Sequence, residues 1–504
     1  MRKILSDYKK ELISLLSNRY LLLIVVITII LGYGFVLTNP SINPDDSSFL
    51  RYFGGGELIA QGRFFPAVLN QLLGGVGFTP FWLAAVCIIL MVLAGLLYCC
   101  LFKRITNNKL NKICYILFIP IFISYPLINE IFIFNTALLS IGIGYLLTVI
   151  SIICIYEYLI NNKRLISLVL VPIALMTVVV STYESFVSVF VLGLAMVAFL
   201  QYFYNRNDKK LNIKYWLRYV LVFAGVAAIA IIIEYIATNL YIDTNHITRS
   251  VFAQTSIKWV SNGVIGNIHP FLSSVYHSFI KIPYNYLSIT ILQVIVAVFV
   301  IYMTTLSIIK KNYWLLLFSA FLILSAFSLI FVQGVAGPYR TCQAIAPLVA
   351  FLVIIIYDQT PKKIKPLIFI AALYLLTMQT YDLTKWFYNE NMQYQQERTV
   401  MINVANTIKS NFDDKKPVVF LGEYTQPPNI EHAQSNGISF INWGMGAFYE
   451  LQTELFIYLE MHGYYFVRPN AAQYIKACDN MPNMDRWPKK NSIIDYQDMI
   501  VVRF

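Results

Sequence analysis

Asp45 and Asp46 stand side by side in NPDDSSFLRYF, just beyond the first long apolar run of the chain. A carboxylate in that place can act as a general base, taking the proton of a hydroxyl as its oxygen attacks. Its neighbour can orient a substrate, or raise the first group's pKa by like-charge repulsion. The same residues also suit a plainer role. Asp and Ser ahead of FLRYF can cap a helix by accepting its free backbone N–H groups. Arg51 follows in the same segment, Arg63 in QGRFFP, and Arg340 in GPYRTCQ at the end of another apolar run. A guanidinium binds phosphate oxygens with a two-pronged fork and stays charged in apolar surroundings. Holding a phosphate headgroup and snorkelling to ordinary lipid headgroups are both open to these arginines.

A second tier of residues could line a polar cavity. Glu130 in YPLINEIFIF and the Tyr183-Glu184 pair in STYESF sit at ends of apolar segments, where a charge is costly unless it faces a cavity or a partner. Arg249, His277 and Lys281 occur together in a later aromatic-rich stretch. His246, His269 and His277 lack metal-ligand spacing, so no metal or other cofactor is expected, although a divalent ion is not excluded. The seven cysteines fall mostly in or beside apolar segments, with Cys478 alone in the C-terminal tail, which gives no disulfide or metal pattern. No P-loop, GxSxG or HExxH motif is present, which argues against an ATP-driven pump and the common hydrolases.

The elements that must position these residues are membrane helices. Of 504 residues 58% are hydrophobic and only 13% charged, where a soluble domain carries about 25% charged residues. The apolar material comes in blocks of roughly 17 to 25 residues, the length that crosses a bilayer core. Eleven such spans are predicted, near 21–38, 81–102, 113–129, 136–160, 165–182, 187–204, 219–241, 287–309, 313–333, 342–357 and 366–381. Residues 1–20 put Ile4, Tyr8, Leu12 and Leu15 on one face at helical spacing, which predicts an amphipathic helix on the inner leaflet. No cleavable signal peptide is expected.

Loop charge tests the count and sets the orientation. The N-terminus and alternate loops hold 21 of the 38 Lys and Arg, the opposite loops before residue 382 hold six, and the tail holds the remaining 11. The alternation never breaks, which predicts a cytoplasmic N-terminus and an extracytoplasmic tail. It also accounts for the net charge of +12 without nucleic acid. Two outer loops, 39–80 and 242–286, are too long to be mere connectors, and SVYHSFIKIPYNYL in the second suits an interfacial or re-entrant helix. The tail, 382–504, with 14 acidic and 11 basic residues, reads as a small α/β domain. Its predicted helices lie in ERTVMINVANTIKSNF, GAFYELQTELFIYLEMHG and AAQYIKACDN, and its strands in KPVVFLGEY, NGISFINW and MIVVRF.

The layout resembles the GT-C superfamily of membrane glycosyltransferases, and within it the O-antigen glucosyltransferase (Gtr-type) family. The residues carrying the resemblance are NPDDSSFLRYF with QGRFFP, STYESF, PYRTCQAIAP and the closing WPKKNSIIDYQDMIVVRF. The chain departs from the family in having Lys490-Asn491 where a turn glycine is usual. The resemblance implies a polytopic α-helical, GT-C-like membrane protein, residues 21–381, with the small extracytoplasmic α/β domain. It implies an inverting transferase in a bacterial plasma membrane that moves glucose or a similar hexose from a polyprenyl-phosphate donor, such as an undecaprenyl phosphate one, to a cell-surface glycan. An aspartate of the first outer loop is the usual base in such enzymes, which maps to Asp45 or Asp46. Arg51, Arg63 and Arg340 then bind donor phosphate. A flippase or polymerase for polyprenyl-linked glycans is the rival reading.

Overall fold

In a bilayer a long apolar segment satisfies its backbone N–H and C=O groups most simply by closing them into a helix. The computed structural model describes residues 2–43, 46, 56–72, 79–161, 166–206, 208, 211–248, 257–279, 287–425, 439–444, 452–480 and 484–504. In chain order the helices are α1 (Arg2–Leu16), α2 (Arg19–Thr38), α3 (Gly56–Ala60), α4 (Phe64–Leu72), α5 (Pro80–Ile105), α6 (Lys112–Ile123), α7 (Asn129–Phe132), α8 (Leu138–Asn161) and α9 (Ser167–Thr182). They continue as α10 (Phe186–Asn205), α11 (Ile213–Thr244), α12 (Lys258–Ser261), α13 (Val264–Phe279), α14 (Leu287–Ile309), α15 (Trp314–Ser325), α16 (Ser328–Gln333), α17 (Ile345–Gln359) and α18 (Lys365–Asn411). Each of the eleven predicted apolar segments holds a helix. Among the described residues seven helices are long and apolar enough to cross a membrane, namely α2, α5, α8, α10, α11, α14 and α18. The apolar helices α6, α9, α15 and α17 are shorter. This is a membrane protein.

The chain divides into two compact units: Met1–Leu37, Gly54–Phe132 and Ala137–Thr384 form the first, and Thr38–Phe53, Ile133–Thr136 and Lys385–Phe504 the second. In the first unit α8 packs against α5, α9 and α10, while α6 lies on α17. Small residues permit the close approaches. A Cβ on Gly193 would sit 2.1 Å from Ile152 Cδ1, and one on Gly144 2.4 Å from the Phe186 ring. A buried aromatic seam fills the space between helices, with Phe102 against Phe118 (5.2 Å between centroids) and Phe351 (5.4 Å), and Tyr145 against Phe122 (5.4 Å) and Phe186 (5.1 Å). Only 17% of the α11 span is buried, against 72% of α10. The exposed side of α11 carries Leu217, Leu221, Ile232, Ile236 and Leu240, a surface that suits lipid and not water.

The predicted face of α1 is its packed face: Leu15 is buried and Ile4, Tyr8 and Leu12 are half-buried. It packs on α5, held by charges. Lys103 pairs with Glu11, and Arg104 pairs with Glu157 and, at 3.5 Å, with Asp7. The Tyr8 hydroxyl donates to Glu157 at 3.1 Å.

In the second unit three strands, β1 (Val418–Leu421), β2 (Ile493–Tyr496) and β3 (Met499–Arg503), form a sheet of order β1-β3-β2. β1 runs parallel to β3, and β2 antiparallel to it. Both faces are covered. Val418, Phe420, Ile500 and Val502 meet Met401, Val404 and Ile408 of α18 and Leu455 and Leu459 of α20 (Gln452–Met461). Val419, Leu421, Met499 and Val501 meet Ala477 of α21 (Ala471–Asn480) and Met484. Buried Gln452 completes the β1 edge, taking the Phe420 N–H at 3.5 Å and returning its amide to the Phe420 carbonyl at 2.5 Å.

ERTVMINVANTIKSNF is helical as expected, and it forms the end of α18, which continues unbroken from the last apolar run because 367–411 contain neither Gly nor Pro. The strands of the tail need correction. FINW in NGISFINW is helical (Phe440–Gly444), not a strand, and 431–438 lie outside the described residues. IIDY, not foreseen as a strand, forms β2. Strands in KPVVFLGEY and MIVVRF, and the helix closed by Gly463 at φ +83°, are as expected.

Candidate active site

Asp46 lies in the second unit, fully buried. Its Oδ1 accepts from the Thr136 backbone N–H (3.1 Å) and hydroxyl (3.2 Å). Its Oδ2 accepts from Asn135 Nδ2 (2.8 Å) and the Asn43 backbone N–H (3.4 Å). Asn43 returns the favour, its Oδ1 taking the Asp46 N–H at 2.9 Å. This reciprocal pair is a capping box, the arrangement that starts a helix. Asn135 Nδ2 also donates to the Ser41 carbonyl at 2.8 Å, and Asn391 of α18 donates to the Asn39 carbonyl at 3.2 Å. Loop and tail helix are therefore tied together within this unit. Among the described residues, donors thus reach both oxygens of this carboxylate.

Arg63, Tyr183, Glu184, Glu130 and Arg340 belong to the first unit. α3 closes on Gly62, whose φ of +85° suits a residue without Cβ, and the chain turns into α4 through an Arg63 N–H to Leu58 carbonyl bond of 2.8 Å. Leu58, Ile59, Phe64 and Ala67 then pack on Tyr241 and Ile242 of α11. This places the Arg63 guanidinium 4.8 Å from the centre of the Tyr183 ring, so one of the predicted phosphate-binding arginines meets a predicted cavity residue. A cation over a ring is held in place without neutralisation by a carboxylate. Glu184 is exposed beside it and accepts from Gln333 Nε2 at 3.2 Å.

Glu130, buried on α7, accepts the backbone N–H of Arg340. Arg340 belongs to a 3-10 turn, Tyr339–Thr341, that packs on α7 and is closed by a Thr341 N–H to Pro338 carbonyl bond of 2.8 Å. Both amide atoms of Gln343 are buried with no hydrogen-bond partner among the described residues, a state that suits a site filled by water or ligand. The structure thus joins Arg63 with Tyr183, and Glu130 with Arg340. His277 is exposed on α13, its ring 5.4 Å from that of Tyr276. Asp45, Arg51, Arg249 and Lys281 lie outside the described residues. Among the described residues no three His, Cys, Asp or Glu side chains are grouped to hold a metal ion.

Sequence reasoning missed Asn43, Asn135, Thr136 and Gln333. The signal for two of them was present, since Asn135-Thr136 interrupts the apolar run IFIFNTALLS. A polar pair inside such a run requires partners.

The sequence profile of the family described as Glucosyl transferase GtrII matches residues 34–357. The chain belongs to that family. The matched stretch takes in Asp46, Arg63, Glu130, Asn135, Thr136, Tyr183, Glu184 and Arg340, and ends before most of the second unit. Membership makes the protein one of a family of glycosyltransferases, whose reaction requires a sugar donor and a glycan acceptor. Neither a curated protein nor a solved structure matches the chain.

Proposed function

We propose that this membrane glucosyltransferase has a GT-C fold with eleven spans. On this reading it transfers glucose or a similar hexose from a polyprenyl-phosphate donor to a cell-surface glycan such as O-antigen, on the outer face of a bacterial plasma membrane. The observation that carries the reading is the family match over a chain whose first outer loop holds paired carboxylates. The unbroken loop-charge alternation supports the orientation. The donor's lipid tail would stay in the membrane, so the protein needs to hold only its phosphate and sugar.

Of the two aspartates we assign the base to Asp45. Asp46 is supported as its anchor, because Thr136, Asn135 and Asn43 already supply donors to both its oxygens. In the proposed step the acceptor hydroxyl gives its proton to the Asp45 carboxylate and its oxygen bonds to C1 of the sugar. The bond from C1 to the phosphate oxygen breaks on the opposite side, so the configuration inverts and polyprenyl phosphate leaves. Arg51, Arg63 and Arg340 are the cations assigned to the growing phosphate charge, a kind of stabilisation that is often the largest catalytic term. Tyr183, Glu184, Glu130, Arg249, His277 and Lys281 are assigned to substrate contacts around it. The step requires no redox change.

The test uses purified protein in nanodiscs with radiolabelled polyprenyl-phosphate glucose or N-acetylglucosamine and a host glycan acceptor. Wild type should release polyprenyl phosphate and label the glycan, and folded Asp45→Asn should not. Intact donor with folded wild type and both sugars would remove the reading for those donors. Full activity of Asp45→Asn would remove Asp45 as the base.

A further inference from the structure

Helix α13 lies between the end of α11 and the start of α14, outside the spans that cross the membrane. Its surface is divided three ways. Val264, Ile265, Ile268, Leu272 and Tyr276 are exposed, at 65, 88, 47, 59 and 47%. At the helical turn of about 100° per residue these five fall within an arc of about 120°. His269 and His277, also exposed, occupy the next arc. The third arc is packed: Asn267 is fully buried, Ser274 nearly so, and the Phe271 ring lies tilted 5.3 Å from both Trp259 and Phe331.

Specific polar bonds fix this packed side. Asn267 Nδ2 donates to the Gly334 carbonyl at 2.8 Å, and Trp259 Nε1 to the Phe331 carbonyl at 2.9 Å. Gly334 ends α16 at φ +81°, and a Cβ there would lie 2.2 Å from the Asn267 amide. The helix therefore cannot roll to hide its apolar arc without breaking these contacts.

We propose that α13 lies in the plane of the membrane, with its apolar arc in the acyl chains of the leaflet at which α11 ends and α14 begins. Lipid is favoured as the occupant because the chain enters and leaves α13 through α11 and α14. Those spans are only 17% and 22% buried, and their exposed apolar sides already define a lipid-facing surface. The order of arcs fits as well, since an interfacial helix has an apolar arc in lipid beside a polar arc in water. Gln333, which holds Glu184, directly precedes the Gly334 contact of α13, so the proposal puts that carboxylate near headgroup level. It does not rest on the transferase reading.

The test uses wild-type protein in nanodiscs of phosphatidylethanolamine and phosphatidylglycerol, doped with a phosphatidylcholine that carries a photoreactive diazirine in its acyl chain. After illumination, peptide mass spectrometry should find lipid adducts on Val264, Ile265, Ile268 and Leu272 as it does on Ile232 of α11. Diethylpyrocarbonate added in water should modify His269 and His277 in the same particles. Adducts on α11 with none on α13 would overturn the proposal, as would protection of both histidines. The paired variant Ile265→Lys and Leu272→Lys should lose the α13 adducts while keeping those on α11 and the melting temperature measured in detergent. Retention of the α13 adducts by that variant would also overturn it.

Discussion

The docking site of α1 in the first unit and the segment around Asp46 in the second hold carboxylates in different ways. Where α1 docks, charge meets charge: Glu157 is paired with Arg104, and Glu11 with Lys103. Around Asp46 the donors are an amide, a hydroxyl and backbone N–H groups. An ion pair uses the field of both partners on each other, so removing one partner leaves a costly charge. Neutral donors fix a carboxylate in position by direction. The first arrangement suits a lock, and the second suits the mounting of a neighbouring group that must react.

The comparison can be broken most severely at Asp45. Asp45→Asn should lower transfer by about 10²- to 10⁴-fold, the range for losing a general base, with little change in the melting temperature measured by tryptophan fluorescence. Equal loss of stability and activity would make Asp45 structural too. At the lock, Arg104→Met should destabilise by about 3–5 kcal/mol, because it removes the ion-pair partner of buried Glu157. The double variant Arg104→Met with Glu157→Leu should recover most of that loss in the same thermal assay. At the mount, Thr136→Val removes a hydroxyl donor from Asp46 and should cost about 1–3 kcal/mol, with activity falling further than stability. Thr136→Ser should restore both.

A smaller effect sharpens the picture. Tyr183→Leu removes the ring beneath Arg63 and should weaken donor binding by about 0.5–1 kcal/mol, read as a rise in KM at constant kcat.

The helices were legible because hydropathy is a local signal. Each apolar block from Arg19 to the start of α18 could be placed to within a few residues. The continuity of α18 was legible too, had the absence of Gly and Pro been weighted above the change in composition. FINW is too short for its periodicity to separate helix from strand. IIDY becomes a strand because β3 lies beside it, which a short polar-ended run does not announce. The site was legible in its residue types but not in its partners. Asp46 and Thr136 are 90 positions apart, and only the fold brings them together. Nothing local to Asp46 says that its donors would come from Asn135 and Thr136.

The docking of α1 sets an order for synthesis. Tyr8 must wait for Glu157, which is 149 residues further along the chain. At about 5–20 residues per second the ribosome supplies that partner roughly 7 to 30 s later. During that interval α1 has an amphipathic surface, with Leu5, Ile13 and Leu16 on the outside even after docking. Helix α1 therefore has reason to rest on the membrane surface first, and its contact with Glu157 closes only when α8 has been made.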